Sequence, residues 1–231
     1  HGYQTVTFKE LDRGEDLPSN PVIITFDDGY ESFYTQALPL LLELGLKAVV
    51  FIPTAFAGYE NDWDVQWGDH RYRHMDKAHI LECHRRGMEI GSHMVHHLYP
   101  GFLDDRRLEY ELTASKEQLS RWIGDTVISL SYPFGKYNAR VVSAASQHYR
   151  YAVGQSAAVL VNGRLSPLFL PRVNVYRMDS PHQLIKKAGR ARGGIFSLRD
   201  RLIQKGAWAS IALQYYKQTS ERKTGNHAQA N

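Results

Sequence analysis

The stretch VIITFDDG, residues 22–29, decides how this chain folds. Its first five residues are apolar or β-branched, which is typical of a strand that is buried on both faces. Two adjacent carboxylates and a glycine follow at once. Because a buried carboxylate must be hydrated, paired or bound to a cation, Asp27 and Asp28 predict a functional site where this strand ends. An aspartate-capped turn is the alternative for an isolated DDG sequence.

Similar apolar runs recur along the chain and alternate with segments of helical periodicity, as in βα units around a parallel sheet. Gly45, Gly87 and Gly124 stand just past three of the predicted helices, where a left-handed C-cap favours glycine. The predicted strands cover residues 22–26, 48–52, 88–92, 127–132, 151–153 and 173–176. The predicted helices cover residues 32–44, 75–86, 104–122, 138–149, 181–191 and 198–216.

The composition predicts a single globular unit without a membrane span. The chain has 231 residues, of which 43% are hydrophobic and 23% charged, and it contains no apolar run of the roughly 18 residues that a transmembrane helix needs. Residues 1–20 lack the apolar segment of a signal peptide. The lone cysteine, Cys83, falls in a helical pattern and is predicted to be a packing residue. The net charge of +4 is mild, so a nucleic-acid partner is not expected, and a monomer is the default.

Histidines follow the third predicted strand, in SHMVHH at residues 92–97. A spacing of four lets His93 and His97 face the same way on a helix or converge in a tight loop, so the pair can bind a metal. His96 is the competing partner of His93. The fourth strand ends in SYPFG, residues 131–135, where proline and glycine can aim a backbone N–H into a cleft. Carboxylates, histidines and this turn all follow strands, at the edge where α/β folds build active sites.

One aspartate and two imidazoles form a three-ligand site with open positions, as expected of catalytic zinc or of non-haem iron. The second aspartate can then take a proton from water, which a bound metal makes acidic enough to ionise near neutral pH. Hydrolysis with zinc therefore accounts for both aspartates, whereas an iron oxygenase accounts for only one.

Three segments occur in the order and spacing of the polysaccharide deacetylase family, the NodB homology group: TFDDG at 25–29, GSHMVHH at 91–97 and YPFG at 132–135. The chain resembles this family over residues 2–176, and nearest the branch of poly-β-1,6-N-acetylglucosamine and other exopolysaccharide N-deacetylases. The resemblance implies a distorted (β/α) barrel of about seven units with parallel strands, extended here by C-terminal helices. We predict a catalytic domain over residues 1–180, a helical extension over 181–220 and a disordered tail over 221–231.

The resemblance also implies a role for each matching residue. Asp27 is implied as the general base, and the backbone N–H of Phe134 as a group that binds the oxyanion. Asp28, His93 and His97 are implied as ligands of a divalent metal, zinc in the first place, with Co²⁺, Ni²⁺ or Fe²⁺ as alternatives. The implied partner is a glycan that carries N-acetyl groups, and the implied location is outside the cytoplasm.

The chain departs from the family pattern beside the base. Ser131 and Tyr132 replace the arginine that many members carry before the motif proline. A base beside a metal and a second carboxylate needs orientation, which a guanidinium supplies through two parallel hydrogen bonds. We therefore predict that Arg172 lies within hydrogen-bonding reach of Asp27, with a surface arginine as the alternative.

Two further departures concern the general acid and the loop of residues 93–97, called the histidine loop below. Met94 stands where the family prefers serine or threonine, and the family's late Leu and His motif has no match. His182 is a poor candidate for the acid because it falls inside a predicted helix.

Residues 55–74 form a long aromatic connection, which is typical of a lid or a binding loop. Trp63 and Trp67 in this connection, together with Tyr132 and Pro133 of the third motif, are the predicted substrate-binding residues. Aromatic faces stack on sugars in enzymes and binding modules alike. A glycan-binding module that has lost its activity therefore remains an alternative, which the missing acid motif also favours.

Overall fold

The computed structural model describes residues 2–61, 72–155, 160–161, 164–176, 178–191 and 211. The strands are β1 (Gln4–Thr5), β2 (Pro21–Val22), β3 (Thr25–Phe26), β4 (Val49–Ile52), β5 (Glu89–Ser92), β6 (Ser129–Ser131), β7 (Tyr151–Gly154), β8 (Leu160–Val161), β9 (Arg164–Leu165) and β10 (Leu170–Pro171). The α-helices are α1 (Phe8–Asp12), α2 (Leu38–Glu43), α3 (Lys77–Arg85), α4 (Asp105–Ile123), α5 (Ala139–Ala145) and α6 (Pro181–Ala191).

Six strands form one parallel sheet in the order β10–β7–β6–β5–β4–β3. Strand β1 pairs in parallel with β2, and β2 and β3 are the two halves of the single strand predicted over residues 22–26. When that interrupted strand is counted once, the described parallel strands number seven. The fold is the distorted (β/α) barrel that the sequence predicts.

The central strand β4 shows why the sheet is buried on both faces. Val50 and Ile52 pack with the helices in the larger core, whereas Val49 and Phe51 face a second cluster inside the barrel. All four side chains are at most 2% exposed. A strand that is covered on both faces has apolar residues at every position, and this continuous apolar run is the pattern that predicts the strand from the sequence.

Helix α4 is the longest described helix, and its buried face packs against the histidine loop. It begins after Asp104, whose side chain accepts a hydrogen bond from the Arg107 N–H at 2.8 Å, and it ends at Gly124 with φ 71°. The predicted left-handed conformation is also confirmed at Gly45 and Gly87. One face of α4 is buried, at Leu108, Glu111, Leu112, Ser115, Leu119 and Ile123.

The strand predicted at residues 173–176 is wrong. The sixth strand of the sheet is β10, three residues earlier, and residues 173–176 belong to no strand. The Tyr176 N–H donates to the Asp179 side chain at 2.8 Å, and the Asp179 N–H donates back to the Tyr176 carbonyl at the same distance. These backbone groups are therefore engaged in a turn, although the alternating apolar residues resemble a strand.

Other predicted elements have mixed outcomes. The helix predicted over residues 32–44 starts with a π-helical turn, Phe33–Ala37, before α2. The helix predicted over 181–191 is confirmed as α6, and the one over 198–216 and the tail over 221–231 fall outside the described residues, apart from Ile211. Helix α1 and the hairpin β8–β9 were not predicted. Within the described ranges, no helix is long and apolar enough to cross a bilayer.

Helix α1 covers the amino-terminal end of the barrel. Its Phe8 ring lies 5.3 Å from the ring of Tyr151, stacked against it inside the barrel. The buried carboxylate of Glu89, at the first position of β5, accepts hydrogen bonds from the Lys9 N–H at 3.0 Å and from the Ser129 hydroxyl at 2.6 Å. This carboxylate therefore joins α1 to two strands.

We expect Glu89→Gln to lower the free energy of unfolding by about 1–3 kcal/mol. The glutamine NH₂ group would face one of the two donors, the Lys9 N–H or the Ser129 hydroxyl, and that donor would lose its acceptor. Urea denaturation followed by circular dichroism measures the change. An unaltered midpoint and slope would show that these hydrogen bonds do not anchor α1.

Candidate active site

The predicted chemistry lies at the carboxyl ends of the parallel strands. Asp27 and Asp28 follow β3 directly, and His93 follows β5. The turn that contains Phe134 follows β6, two residues beyond its last member. Since all these strands run in the same direction, their loops meet at one end of the barrel.

Asp28, His93 and His97 form a compact group. The Asp28 Oδ1 atom lies 3.4 Å from Nε2 of His93 and 3.4 Å from Nε2 of His97. One ligand atom from each residue lies within 4.8 Å of the other two, and this is the one such group of potential metal ligands in the described part of the chain. The structure thus brings together the three residues that the resemblance implies as ligands. His96 instead turns its Nδ1 to Glu111, at 2.7 Å.

The chemistry of this group fits a divalent cation. Asp28 Oδ1 is buried and has no hydrogen-bond partner among the described residues, which would cost about 1–3 kcal/mol if it stayed unsatisfied. His93 Nδ1 donates to the Ser131 carbonyl at 2.7 Å, which directs Nε2 at Asp28. Burial lowers the pKa of His93, but Asp28 and Asp27 raise it overall, so a cation would take the place of a proton on Nε2. Burial, with the neighbouring His93, lowers the pKa of His97 to about 3, and His97 is therefore neutral, as a ligand must be. Two imidazoles and one carboxylate are a donor set for zinc and related metals.

Among the residues that the structure describes, four that are not glycine have left-handed backbone conformations, and all lie in the loops of this site. Their φ angles are 67° at Asp28, 64° at Met94, 50° at His97 and 58° at Phe134. Such a conformation costs about 1–3 kcal/mol per residue and persists only where the surroundings enforce it, which is typical of functional sites.

A buried histidine holds the first of these strained positions. His74 donates from Nδ1 to the Asp28 carbonyl at 2.7 Å, and the Met75 N–H donates to the Gly29 carbonyl at 2.9 Å. His74 is 2% exposed, and it faces Tyr30 across an isolated antiparallel bridge. Sequence reasoning did not identify His74, because it contacts a backbone atom 46 residues away and belongs to no motif.

The predicted contact between Arg172 and Asp27 is confirmed. Arg172 donates from Nη1 to Asp27 Oδ1 at 2.7 Å and from Nη2 to Oδ2 at 2.6 Å, which is the bidentate geometry of a strong ion pair. Nη2 also lies 3.0 Å from the Ser131 hydroxyl oxygen. Arg172 comes directly after β10, so it stands at the carboxyl end of the barrel with the rest of the site.

The pair leaves Asp27 ionised and accessible. Burial is the largest single influence and raises the pKa of this carboxyl, but Arg172, His93 and Ser131 together hold the pKa well below its usual range. The Asp27 side chain is still 26% exposed, whereas Arg172 is 12% exposed. Asp27 can therefore accept a proton from a molecule in the cleft.

The other predicted site residues have different positions. Phe134 is partly exposed, and its ring packs edge-on against His97 with 4.7 Å between centroids. Tyr132 is 0% exposed and donates from its hydroxyl to the Leu168 carbonyl at 3.3 Å, and Pro133 is buried too. Tyr132 belongs to the core beneath the turn, and the substrate contact predicted for these two residues stays a prediction.

Two predicted substrate contacts, Trp63 and Trp67, fall outside the described residues. His182 is exposed in the first turn of α6.

Comparison with known proteins adds two relatives and one solved structure. YxkH of Bacillus subtilis (strain 168) is 30% identical over 151 residues, which are 64% of this chain and 50% of that protein. The poly-β-1,6-N-acetyl-D-glucosamine N-deacetylase of Staphylococcus aureus (strain MSSA476) is 24% identical over 81% of this chain and 66% of that protein. The chain thus spans half the length of YxkH and about two thirds of the staphylococcal protein.

The likeness extends to the fold. The Streptococcus pyogenes deacetylase PplD, solved in complex with acetate, superposes with a TM-score of 0.67 and 24% identity over 81% of this chain and 80% of that chain. The family model for polysaccharide deacetylase matches residues 14–153, which is more than half of the sequence and includes both aspartates, both histidines and the turn after β6. This chain belongs to the polysaccharide deacetylase family.

Proposed function

We propose that this protein is a metal-dependent hydrolase that removes N-acetyl groups from N-acetylglucosamine-type residues of a glycan and releases acetate. The observation that carries the proposal is the Asp27 carboxylate, held by two hydrogen bonds from Arg172 next to the group of Asp28, His93 and His97. A metal-dependent hydrolase needs both a cation site and a base, and this cleft has candidates for both side by side.

In the proposed reaction, Asp28, His93 and His97 hold a divalent cation, which when bound supplies Lewis-acid polarisation of the amide and of water. Asp27 takes a proton from the water whose oxygen attacks the acetamide carbonyl carbon. The two hydrogen bonds from Arg172 leave acceptor capacity on Asp27, because each carboxylate oxygen carries two lone pairs.

The rest of the reaction is proposed as follows. The negative charge that develops on the carbonyl oxygen is stabilised by the backbone N–H of Phe134, at the left-handed turn beside His97. The carbon–nitrogen bond then breaks as the sugar nitrogen receives the proton that Asp27 took from water and leaves as an amine. The acyl group departs as acetic acid, which ionises to acetate.

A glycan substrate is supported by aromatic rings at the two described ends of the connection between β4 and α3. Tyr59 is 70% exposed and Tyr72 is 63% exposed, and the Tyr72 ring lies 5.6 Å from that of Tyr30, two residues after Asp28. Exposed aromatic faces of this kind can stack on sugar rings. We propose that the connection, with Trp63 and Trp67, binds the sugar chain.

The substrate class is proposed from the relatives. The staphylococcal relative, and one in Escherichia coli that is 36% identical over 73 residues, are named for deacetylation of poly-β-1,6-N-acetyl-D-glucosamine. A Bacillus cereus relative, 28% identical over 135 residues, is named for peptidoglycan N-acetylglucosamine. Both substrates lie outside the cytoplasm, and we propose the same location for this protein.

We expect Asp27→Asn to lower the turnover number by about 10²–10⁴-fold, because the amide cannot act as a base, while the metal stays bound. Acetate release from poly-N-acetylglucosamine oligomers and metal content measured on the same sample test this. Metal loss from the variant would mean that the two aspartates have exchanged roles. Glycan binding without acetate release by the metal-loaded parent protein would favour a glycan-binding module instead.

We expect Arg172→Ala to lower the turnover number by about 10²-fold with little change in KM, since Asp27 loses the two parallel hydrogen bonds that orient it. Arg172→Lys keeps the positive charge but cannot make the two parallel hydrogen bonds, so its turnover number should lie between those of the alanine variant and the parent. Steady-state kinetics on both variants, with metal content as a control, separate orientation from charge. Unchanged turnover in the alanine variant would remove Arg172 from the reaction.

Removal of the metal by a chelator should abolish acetate release, and zinc or cobalt should restore it, because water alone is too weak an acid for Asp27 to deprotonate. The measurement is acetate release before chelation, after it and after each metal is added back. Full activity in the chelated, metal-free protein would contradict the proposed function.

A further inference from the structure

The histidine loop after β5 bends twice through a left-handed conformation, at Met94 and at His97. The N–H groups of Val95 and His96 lie between these two bends. Successive N–H groups in such a backbone point into one concavity and attract an anion.

A single buried carboxylate fills this concavity. Glu111 Oε2 accepts from the Val95 N–H at 3.0 Å and from the His96 N–H at 2.9 Å. The other oxygen, Oε1, lies 2.7 Å from His96 Nδ1 and 3.1 Å from Nη2 of Arg107. Four polar groups therefore surround one carboxylate.

Glu111 lies on the buried face of α4, between Leu108 and Leu112, where the helical pattern calls for an apolar residue. It is 0% exposed. A buried carboxylate costs several kcal/mol unless it is fully hydrogen-bonded, so its presence on this face needs a reason beyond packing. The backbone of the histidine loop supplies that reason.

The two histidines at the ends of this loop are fixed in different ways. His93 stands next to β5, and the Ser131 carbonyl orients its ring. His97 lies at the far end, so its position depends on the path of the loop. The carbonyl groups of the loop face the segment after β4: the Thr54 N–H donates to the Met94 carbonyl at 3.2 Å, and the Ala55 N–H donates to the Val95 carbonyl at 2.9 Å. The N–H groups of Val95 and His96, on the other side of the loop, donate to Glu111.

We propose that Glu111 is a positioning residue of the metal site, which holds His97 Nε2 at the distance from His93 and Asp28 that a divalent cation requires. The inference rests on the proposed function, since it assigns a role toward the same metal. Its effect is on metal affinity, which can be measured independently of acetate release.

Glu89 provides a matched control. It too is a buried glutamate that accepts a backbone N–H and a side-chain donor, but it stands at the amino end of β5, opposite the ligands. A purely structural contribution should be similar in Glu89→Gln and Glu111→Gln. An effect on the metal site should appear only in Glu111→Gln.

The experiment measures the dissociation constants of Zn²⁺ and Co²⁺ for the parent protein and both variants by competition with a chromophoric chelator. Thermal unfolding of each metal-free protein is recorded alongside. We expect Glu111→Gln to raise the dissociation constant by about 10–100-fold, the range found when partners of metal ligands are removed. We expect Glu89→Gln to leave it within about twofold, because distant sites act independently. The visible spectrum of the cobalt-loaded protein should change in Glu111→Gln alone, as His97 moves.

If Glu111→Gln does not fold, Glu111→Asp replaces it, because the shorter side chain keeps the charge and withdraws it from the two N–H groups. The same rise in the dissociation constant is then expected. Equal losses of thermal stability in the Glu111 and Glu89 variants with an unchanged metal affinity would overturn the inference. A parent protein that binds metal without releasing acetate would count against the proposed function, while the affinity shift in Glu111→Gln would still support the role of Glu111.

Discussion

The ion pair between Arg172 and Asp27 is the interaction on which the carboxyl end of this barrel depends. Strands β10 and β3 are the opposite edges of the six-stranded sheet, and Arg172 follows one while Asp27 follows the other. The same guanidinium lies 3.3 Å from the Thr25 hydroxyl oxygen, 3.0 Å from that of Ser131 and 5.9 Å from the centre of the Phe51 ring. One planar group thus lies beside side chains of three other strands, β3, β4 and β6, and it joins the two edges of the sheet while it orients Asp27.

The loops around this pair show how the structure maintains a strained site. Left-handed residues occur in two loops of the site, at Asp28 after β3 and at Met94 and His97 after β5. Each strained loop is held by a buried polar side chain from another element: His74 on the Asp28 carbonyl and Glu111 on the N–H groups of the histidine loop. Preorganised sites of this kind need support from residues whose own positions are locked by packing.

The sequence predicts those parts of the site whose information is local. The carboxylates, the histidines and the turn after β6 each fall within five or six consecutive residues after an apolar strand, so pattern and resemblance identify them together. Arg172 was accessible to reasoning because the usual arginine is missing and Asp27 still requires a cationic partner. His74 and Glu111 were not accessible, because they bind backbone atoms, and a backbone atom leaves no residue type in the sequence to match.

The errors have equally physical causes. Residues 173–176 alternate like a strand, but the Asp179 side chain competes for the Tyr176 N–H and a turn results. The motif that contains Tyr132 predicts a turn at this strand end, but it does not encode that the ring of Tyr132 packs in the core beneath that turn.

We propose different roles for the two adjacent aspartates because their side chains have different surroundings. Asp27 has a guanidinium on both oxygens, so its charge is balanced by the protein and its remaining lone pairs can receive a proton. Asp28 has an oxygen between two imidazole nitrogens at 3.4 Å and no hydrogen bond from the described chain to satisfy it. A carboxylate so placed is complete only with a cation. The left-handed backbone at Asp28 separates the two side chains, so that in the proposed reaction identical neighbours serve as base and as ligand, in the way that other enzymes divide work between paired carboxylates through their surroundings.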